Sequence, residues 1–330
     1  MTASGADEGQ THAGRSPTGA PTIVISALSY KRPDLLEKLL DTWPTLAIPG
    51  SVRTVLLIVD NDEAGSARST VEARQSDAID LRYVVEARKG IPVARNRALD
   101  EALAMGADAL CFIDDDEYPD QAWIDRLLAC WRKTGAQLLG GPVEVAPAPE
   151  GATAWQTFIN QSLAARASRR NRKTARAAAT SGRYTIVTNN WLCDLGWQRE
   201  TGLRFDESLL ATGGSDTAFF RAARAMGCRT DWCPEAIVYE TVTLDRLSMS
   251  YQFWRASSQS MNHLRMKKPR IGPVVFAATV ANACLRAVLG AALVVVPVFG
   301  MASPVMGVRS MGWALGRLKG LFGSRSKLYE

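Results

Sequence analysis

Histidine is nearly absent from this 330-residue chain, which has only His12 and His263. That scarcity excludes a Ser-His-Asp triad and any multi-histidine metal centre. The six cysteines (Cys111, Cys130, Cys193, Cys228, Cys233 and Cys284) form no CxxC pair, and most sit in apolar surroundings. Disulfides, zinc and iron–sulfur clusters are therefore not expected, and a reducing cytoplasm suits the chain. Residues 1–20 lack the apolar stretch of a secretory signal; they read as a disordered tail on a chain that is not exported. Acid is missing at the other end. From Arg246 onward there are 12 Lys or Arg against Glu330 alone, so a net charge of +6 leaves the preceding part acidic. A basic rear of this kind faces something anionic, membrane lipid or nucleic acid. With imidazole and metal-binding thiolates gone, chemistry must run on carboxylates, supported by arginines and backbone amides.

Carboxylates are present in a telling place. Asp114-Asp115-Asp116 ends the apolar run Ala109–Ile113 abruptly. Such a run reads as a buried strand whose carboxyl end opens into a crevice, where open α/β sheets bind ligands. Adjacent like charges are costly to fold together unless a cation neutralises them, and hard oxygens suit Mg2+ or Mn2+ shared with phosphates. A solvated acidic turn is the alternative.

Around that strand, strand-like and helix-like segments alternate. Strands are expected at Thr22–Leu28, Thr54–Val59, Leu81–Val85 and Ala109–Ile113. Helices are expected over Pro33–Thr42, Ala64–Gln75, Ile91–Met105 and Gln121–Lys133. This alternation predicts a mostly parallel sheet flanked by helices, with right-handed crossovers. A less regular part starts near Gly140. It holds a basic helix from about Ala154 with Arg166, Arg169, Arg170, Arg172, Lys173 and Arg176, then a short strand at Tyr184–Val187. A helix opens near Asp216, and strands follow at Arg229–Trp232 and Ala236–Tyr239. Four regions result: the tail 1–20, halves 21–140 and 141–245 of one domain, and the rear 246–330. In the rear, Ala287–Val308 is uncharged and long enough to cross a bilayer, though Pro297, Pro304, Gly290, Gly300 and Gly307 interrupt it. Ile271–Leu285 is too short to span alone. Lys267, Lys268 and Arg270 precede these runs and Arg309, Arg317, Lys319, Arg325 and Lys327 follow Val308. A hairpin or interfacial helices suit positive charge on both flanks; a buried helical pair is the alternative.

Further polar residues fall at successive strand ends. Ser29-Tyr30 follow the first strand, Asp60-Asn61-Asp62 the second, and Gly90–Asn96 open a helix that offers Arg95 to an anion. Each has a plain reading as a turn or helix start. Taken jointly with Asp114–Asp116, they resemble the family 2 inverting glycosyltransferases of the GT-A (Rossmann-like) fold, over roughly Ile23 to Glu240. Within that family the likeness is to the succinoglycan-type glucosyltransferases of bacterial exopolysaccharide assembly.

The resemblance implies that Ser29, Tyr30, Asp60 or Asp62, Arg95, Asp114 and Asp115 hold a nucleotide-sugar. It implies that Asp114 and Asp116 form the DxD pair, with Asp116 on the metal. Gly213-Gly214-Ser215-Asp216-Thr217-Ala218-Phe219-Phe220 matches the family's second signature and makes Asp216 the general base, although Ser215 stands where a Glu is usual. Asn189, Asn190, Trp191 and Glu240 are acceptor-side candidates. The QxxRW signature of processive enzymes is not matched by Gln252-Phe253-Trp254-Arg255, which favours transfer of a single sugar. The implied enzyme takes a UDP-sugar such as UDP-glucose and glycosylates a lipid-linked saccharide at the cytoplasmic face of the bacterial inner membrane. Its basic rear lies on anionic lipid, with no nucleic-acid partner. The competing readings are a nucleotidyltransferase, which wants a Gly-rich phosphate loop that Ala27–Tyr30 does not supply, and a non-catalytic membrane-associated binding protein.

Overall fold

The computed structural model describes residues 19–76, 79–210, 214–265, 272–295 and 303–322. Nearly all of the expected N-terminal tail lies outside them, as do Gly213, Lys267, Lys268, Arg270, Pro297, Gly300, Arg325 and Lys327.

Strands β1 (Thr22–Ser29), β2 (Arg53–Asp60), β3 (Leu81–Val85) and β4 (Ala109–Asp114) are joined through helices α1 (Pro33–Thr42), α2 (Arg68–Glu72) and α3 (Ile91–Ala104). The four strands are parallel and neighbour one another in the order β3-β2-β1-β4. Both sheet faces are buried, so side chains alternate between two cores without alternating in polarity. Ile23, Ile25, Leu56, Ile58, Cys111 and Ile113 enter one core; Val24, Val55, Leu57, Val59, Leu110 and Phe112 enter the other.

The chain continues through β5 (Glu117–Pro119), α4 (Trp123–Thr134), β6 (Leu138–Gly140), β7 (Val143–Val145), the 27-residue helix α5 (Ala154–Thr180), β8 (Asn190–Asp194) and α6 (Leu195–Thr201). It then forms α7 (Ser215–Ala225), β9 (Thr230–Trp232) and β10 (Val238–Glu240). Strand β8 runs antiparallel between β4 and β6, and β9 pairs with β6 to complete seven strands. A second sheet, β5-β10-β7, stands beside the end of β4.

Two expectations need correction here. The helix expected over Ala64–Gln75 shrinks to the five residues of α2. The Asp60 carboxylate accepts from the Asp62 and Ala67 amides (3.1 and 2.7 Å), and Gly65 turns at φ 69°. Those bonds commit residues 62–67 to a loop. Tyr184–Val187 is not a strand; Ile186 packs against Gly140, and the strand beside β4 is Asn190–Asp194.

The rear folds as α8 (Met249–Arg265), α9 (Pro273–Val295) and α10 (Ser303–Leu321). Helix α10 packs along both α8 and α9 and also touches α5. Gly312 and Gly316 press against the α8 backbone at Phe253 and Ser257, where a Cβ has no room, and Gly290 and Gly307 meet across α9 and α10. Small residues four apart are what bring helices this close. Arg286, which borders the uncharged Ala287–Val308 run in the sequence, lies inside α9, where its guanidinium sits 4.2 Å from the centroid of the Trp313 ring. Helix α9 is long and apolar enough to cross a membrane and is only 11% buried, with Val274 80% and Val288 68% exposed.

Candidate active site

The parallel register sets the rim. Ser29 lies opposite Asp60, Asp60 opposite Val85, and Leu28 opposite Asp114, so the polar ends of β1, β2 and β4 fall on one edge of the sheet. Tyr30 is exposed just beyond, with the ammonium groups of Lys31 and Lys89 5.3 and 5.1 Å from its ring centroid. Lys31 takes a positive φ of 54°, which turns the chain sharply ahead of α1.

At the end of β2 the two acids differ. Asp60 is fully buried, and Tyr83 Oη donates to its Oδ2 (2.8 Å) in addition to the amides named above. Asp62 is nearly buried and accepts only a long bond from the Ala64 amide (3.4 Å). Asn61 between them donates to the Glu86 and Arg88 carbonyls, both at 2.9 Å, and accepts from the Gly90 amide at 2.7 Å. It thereby ties β2 to the turn that begins α3. Asp60 and Asn61 thus shape the rim, and Asp62 is the less committed of the two acids.

Arg95 on α3 is buried and donates to Ser215 Oγ (2.9 Å), so α3 and the first turn of α7 meet. A hydroxyl accepts there in place of the expected carboxylate. Asp216 is the next residue. The residue capping α7 is Gly214, not Asp216, so a capping role does not explain this acid. Its Oδ1 accepts from the Thr217 amide (2.7 Å).

The triplet is strongly perturbed. Burial pushes Asp114 up to about 7, helped by the Asp116 charge and, more weakly, by Glu240 and Asp216; Arg95 opposes the rise. Asp216 and Glu240 therefore lie near the same carboxylate as Asp116: the Thr241 amide donates to the Asp116 carbonyl (2.8 Å), and Arg95 joins α3 to the start of α7. Asp116 accepts from Arg246 (3.0 Å) and lies 3.8 Å from Arg32; Glu240 pairs with Arg255 at 3.5 Å.

Asp115 is also pushed up to about 7, by burial and then by Asp116, against the pull of Arg32 3.6 Å away. Its ordinary value is 3.8, so the folded state holds this proton more tightly than the unfolded chain. The stability so gained is full below the unfolded value and lost as pH rises through the folded one. Without added divalent cation, Asp115→Asn is expected to exceed the wild type at pH 8 by about 1–4 kcal/mol, the gain fading toward pH 4. Thermal unfolding at the two pH values checks this, and an equal difference at both contradicts it. The Arg32 pair, with its guanidinium nearly half exposed, offsets little.

Three contributors escape a reading of the sequence. Glu117 on β5 is buried and accepts from the Asp114 amide and from Asn189 Nδ2, both at 2.9 Å. Burial, with the Asp114 charge, holds it well above the usual carboxylate range. A fourth acid directly after the triplet is the only sequence signal for it. Arg246 lies 130 residues from its partner Asp116, Arg255 pairs with Glu240 from a separate element, and neither carries a motif.

The acceptor-side candidates separate. Asn190 is buried, accepts from Trp123 Nε1 (2.9 Å) and donates to the Pro142 and Ala236 carbonyls (2.9 and 2.7 Å). Trp191 is buried among Phe112, Phe205 and Phe219. Both build the core: the alternation of β8 turns them into packed layers, away from any soluble acceptor. Asn189 and Glu240 stay partly exposed near the triplet.

Among the described residues, no cluster of three or more His, Cys, Asp or Glu could cage a cation unaided. The donor set, Asp116 with Asp114, instead fits a hard divalent ion that draws its remaining ligands from phosphate oxygens. Burial and, after it, the neighbouring negative charge raise Asp114, and such an ion would relieve the latter.

The family described as Glycosyltransferase like family 2 matches residues 21–261. The succinoglycan biosynthesis protein ExoM of Rhizobium meliloti is 32% identical over 245 residues, which cover 74% of this chain and 74% of that protein. Glycosyltransferase AglE of Haloferax volcanii is 34% identical over 158 residues, 46% of this chain and 49% of that protein. Of solved structures, the mannosyltransferase PcManGT from Pyrobaculum calidifontis, in complex with GDP-Man and Mn2+, shares the fold with a TM-score of 0.58. It is 17% identical, over 94% of this chain and 89% of that one. S. aureus TarS in complex with UDP-GlcNAc gives 0.50 at 12% identity, over 89% of this chain and 90% of that one.

Proposed function

This chain belongs to the glycosyltransferase family 2-like family, and from that premise we propose that it is an inverting, divalent-cation-dependent enzyme. In this reading it adds one sugar from a nucleotide-sugar, of UDP type, to a lipid-linked saccharide at the cytoplasmic face of the bacterial inner membrane. The observation that supports the reading is the nearness of Asp114, Asp116, Glu240 and Asp216, tied by the Thr241 amide on the Asp116 carbonyl (2.8 Å) and by Arg95 on Ser215 (2.9 Å).

Ser29, Tyr30 and Asp62 hold the nucleoside at the ends of β1 and β2, with Asp115 and Arg95 behind the diphosphate. Asp114 and Asp116 would hold the cation, which when bound would supply Lewis-acid stabilisation of the leaving diphosphate. Asp216 takes the proton of the acceptor hydroxyl as that oxygen bonds to the anomeric carbon. The bond from that carbon to the phosphate oxygen breaks in the same step, so one displacement inverts the centre. Arg32 and Arg246, beside Asp116, meet the charge that develops on the leaving diphosphate. Asn189 and Glu240 line the acceptor side. GDP-Man and UDP-GlcNAc are the donors bound to the structural neighbours, so both bases belong in the test.

The test is a screen of UDP- and GDP-sugars for cation-dependent thermal stabilisation and slow hydrolysis by the purified protein. One donor is expected to raise Tm with Mn2+ or Mg2+ and not with chelator, because a ligand that binds only the folded state stabilises it by mass action. No stabilisation and no hydrolysis with any donor would sink the reading.

A further inference from the structure

Helices α5, α8, α9 and α10 line an open cavity of about 650 Å3. Arg166 and Arg169 line it from α5, Arg286 from α9, and Arg309 and Arg317 from α10. Trp313 lies between Arg286 and Arg317, whose guanidinium carbons are 4.2 and 4.6 Å from its ring centroid. No Asp or Glu stands among the described lining residues. The neighbours these arginines do find are neutral: Gln252 Oε1 for Arg309, Asn282 Oδ1 for Arg286 (3.1 Å) and Met306 Sδ for Arg169 (3.8 Å). The buried Nε of Arg317 has no partner. Burial, with the charges of Arg170, Arg255 and Arg169, pushes Arg166 below its ordinary pKa. Gathering five guanidinium groups with no acid among the described lining residues, Glu240 acting on Arg309 only from outside, is unfavourable, and an anion with several oxygens relieves it; planar arginine forks match phosphate best.

The cavity has two further neighbours. On one side a chain of contacts leads to the crevice. Arg309 donates to Gln252, Gln252 Nε2 donates to the Arg246 carbonyl (2.9 Å), and Arg246 donates to Asp116 (3.0 Å). Arg255, whose charge acts on both Arg166 and Arg309, pairs with Glu240. On another side stands the exposed apolar surface of α9. A ligand that satisfies both neighbours is charged at one end and hydrocarbon at the other.

We propose that this arginine-lined cavity binds the phosphate or diphosphate group of the lipid that carries the acceptor saccharide. The lipid tail lies along α9 and the saccharide enters the crevice at Glu240 and Asp216. The assignment rests on the glycosyltransferase reading above and deepens it by naming the residues that recognise the carrier.

The test uses the full chain and co-flotation with phosphatidylcholine vesicles. One set carries a polyprenyl diphosphate, a second carries phosphatidylglycerol at equal charge, and a third is undoped. The wild type is expected to bind the diphosphate vesicles about tenfold more tightly than the phosphatidylglycerol vesicles. Arg166→Gln with Arg286→Gln should lose about tenfold on the former and less than about twofold on the latter. Arg172→Gln, an exposed basic residue of α5 outside the cavity, should change neither. If the glutamine pair misfolds, Arg166→Lys with Arg286→Lys keeps the charge and is still expected to weaken diphosphate binding several-fold, because the fork is lost. Equal wild-type binding to both doped vesicles, or equal loss on both in the variants, overturns the assignment in favour of general membrane charge. Thermal stabilisation by inorganic pyrophosphate that the variants abolish, with no vesicle preference, overturns it in favour of a free-anion site. Donor hydrolysis separates the two levels. A wild type that hydrolyses no nucleotide-sugar fails the enzymatic reading, whereas one that does so without lipid preference fails this inference alone.

Discussion

Asp216→Asn is expected to lower kcat by about two to four orders of magnitude, the range general-base assistance contributes. The replacement keeps the size of the side chain and an oxygen that can accept from the Thr217 amide, so the first turn of α7 stays as it is. What it removes is the ability to take a proton. Binding of the nucleotide-sugar and the cation should stay within a few-fold of wild type, since the contacts proposed for them come from the β1, β2 and β4 ends. Calorimetric donor binding alongside single-turnover transfer makes the comparison. Full transfer activity in the variant would remove Asp216 from the base role. Donor affinity lost in parallel with kcat would move it to the donor side.

The second large effect is expected at Asp116. Asp116→Ala should lower kcat/KM by about three orders of magnitude, because a Lewis acid on the leaving group is worth several kcal/mol. It should also abolish the dependence of donor binding on Mn2+ or Mg2+. The structure adds a signature beyond loss of activity. Arg246 and Arg32 both approach this carboxylate, so the variant leaves Arg246 without its acid and Arg32 with Asp115 alone. Free nucleoside diphosphate should then bind in chelator better than it does to wild type, an inversion of the normal metal response. Donor affinity that stays cation-dependent in the variant would exclude Asp116 as a ligand.

Much of this was readable from local chemistry, and where it was not the reason is physical. Helix α1 runs over Pro33–Thr42 as expected, because proline opens it and its leucines recur at helical spacing. The end of β4 was readable because apolar residues give way to acid without transition. Strand β8 was not. Tyr184–Val187 has the stronger β-forming composition, but pairing is decided by what lies beside β4, and Asn190–Asp194 occupies that place. The same shift put Asn190 and Trp191 into the core and left Asn189 at the edge. Glu117, Arg246 and Arg255 were invisible for a different reason: each acts through a partner that only the fold brings near. The helix expected after β2 was overruled by one side chain, Asp60, whose oxygens take amides that helix α2 would otherwise have used.

The reversed direction of β8 has a consequence for how specificity is divided. Strands β1, β2 and β4 present their finishing residues to the rim, whereas β8 presents its opening residues there, with Asn190 opposite Ile113. The connection arriving at β8, residues 181–189, can therefore lengthen or shorten without disturbing any strand that ends in Ser29, Asp60 or Asp114. With the roles proposed above, Asn189 on the acceptor side and Ser29, Asp62 and Asp114 on the donor side belong to separate stretches of chain, so a descendant could switch recipients while its nucleotide grip stays intact.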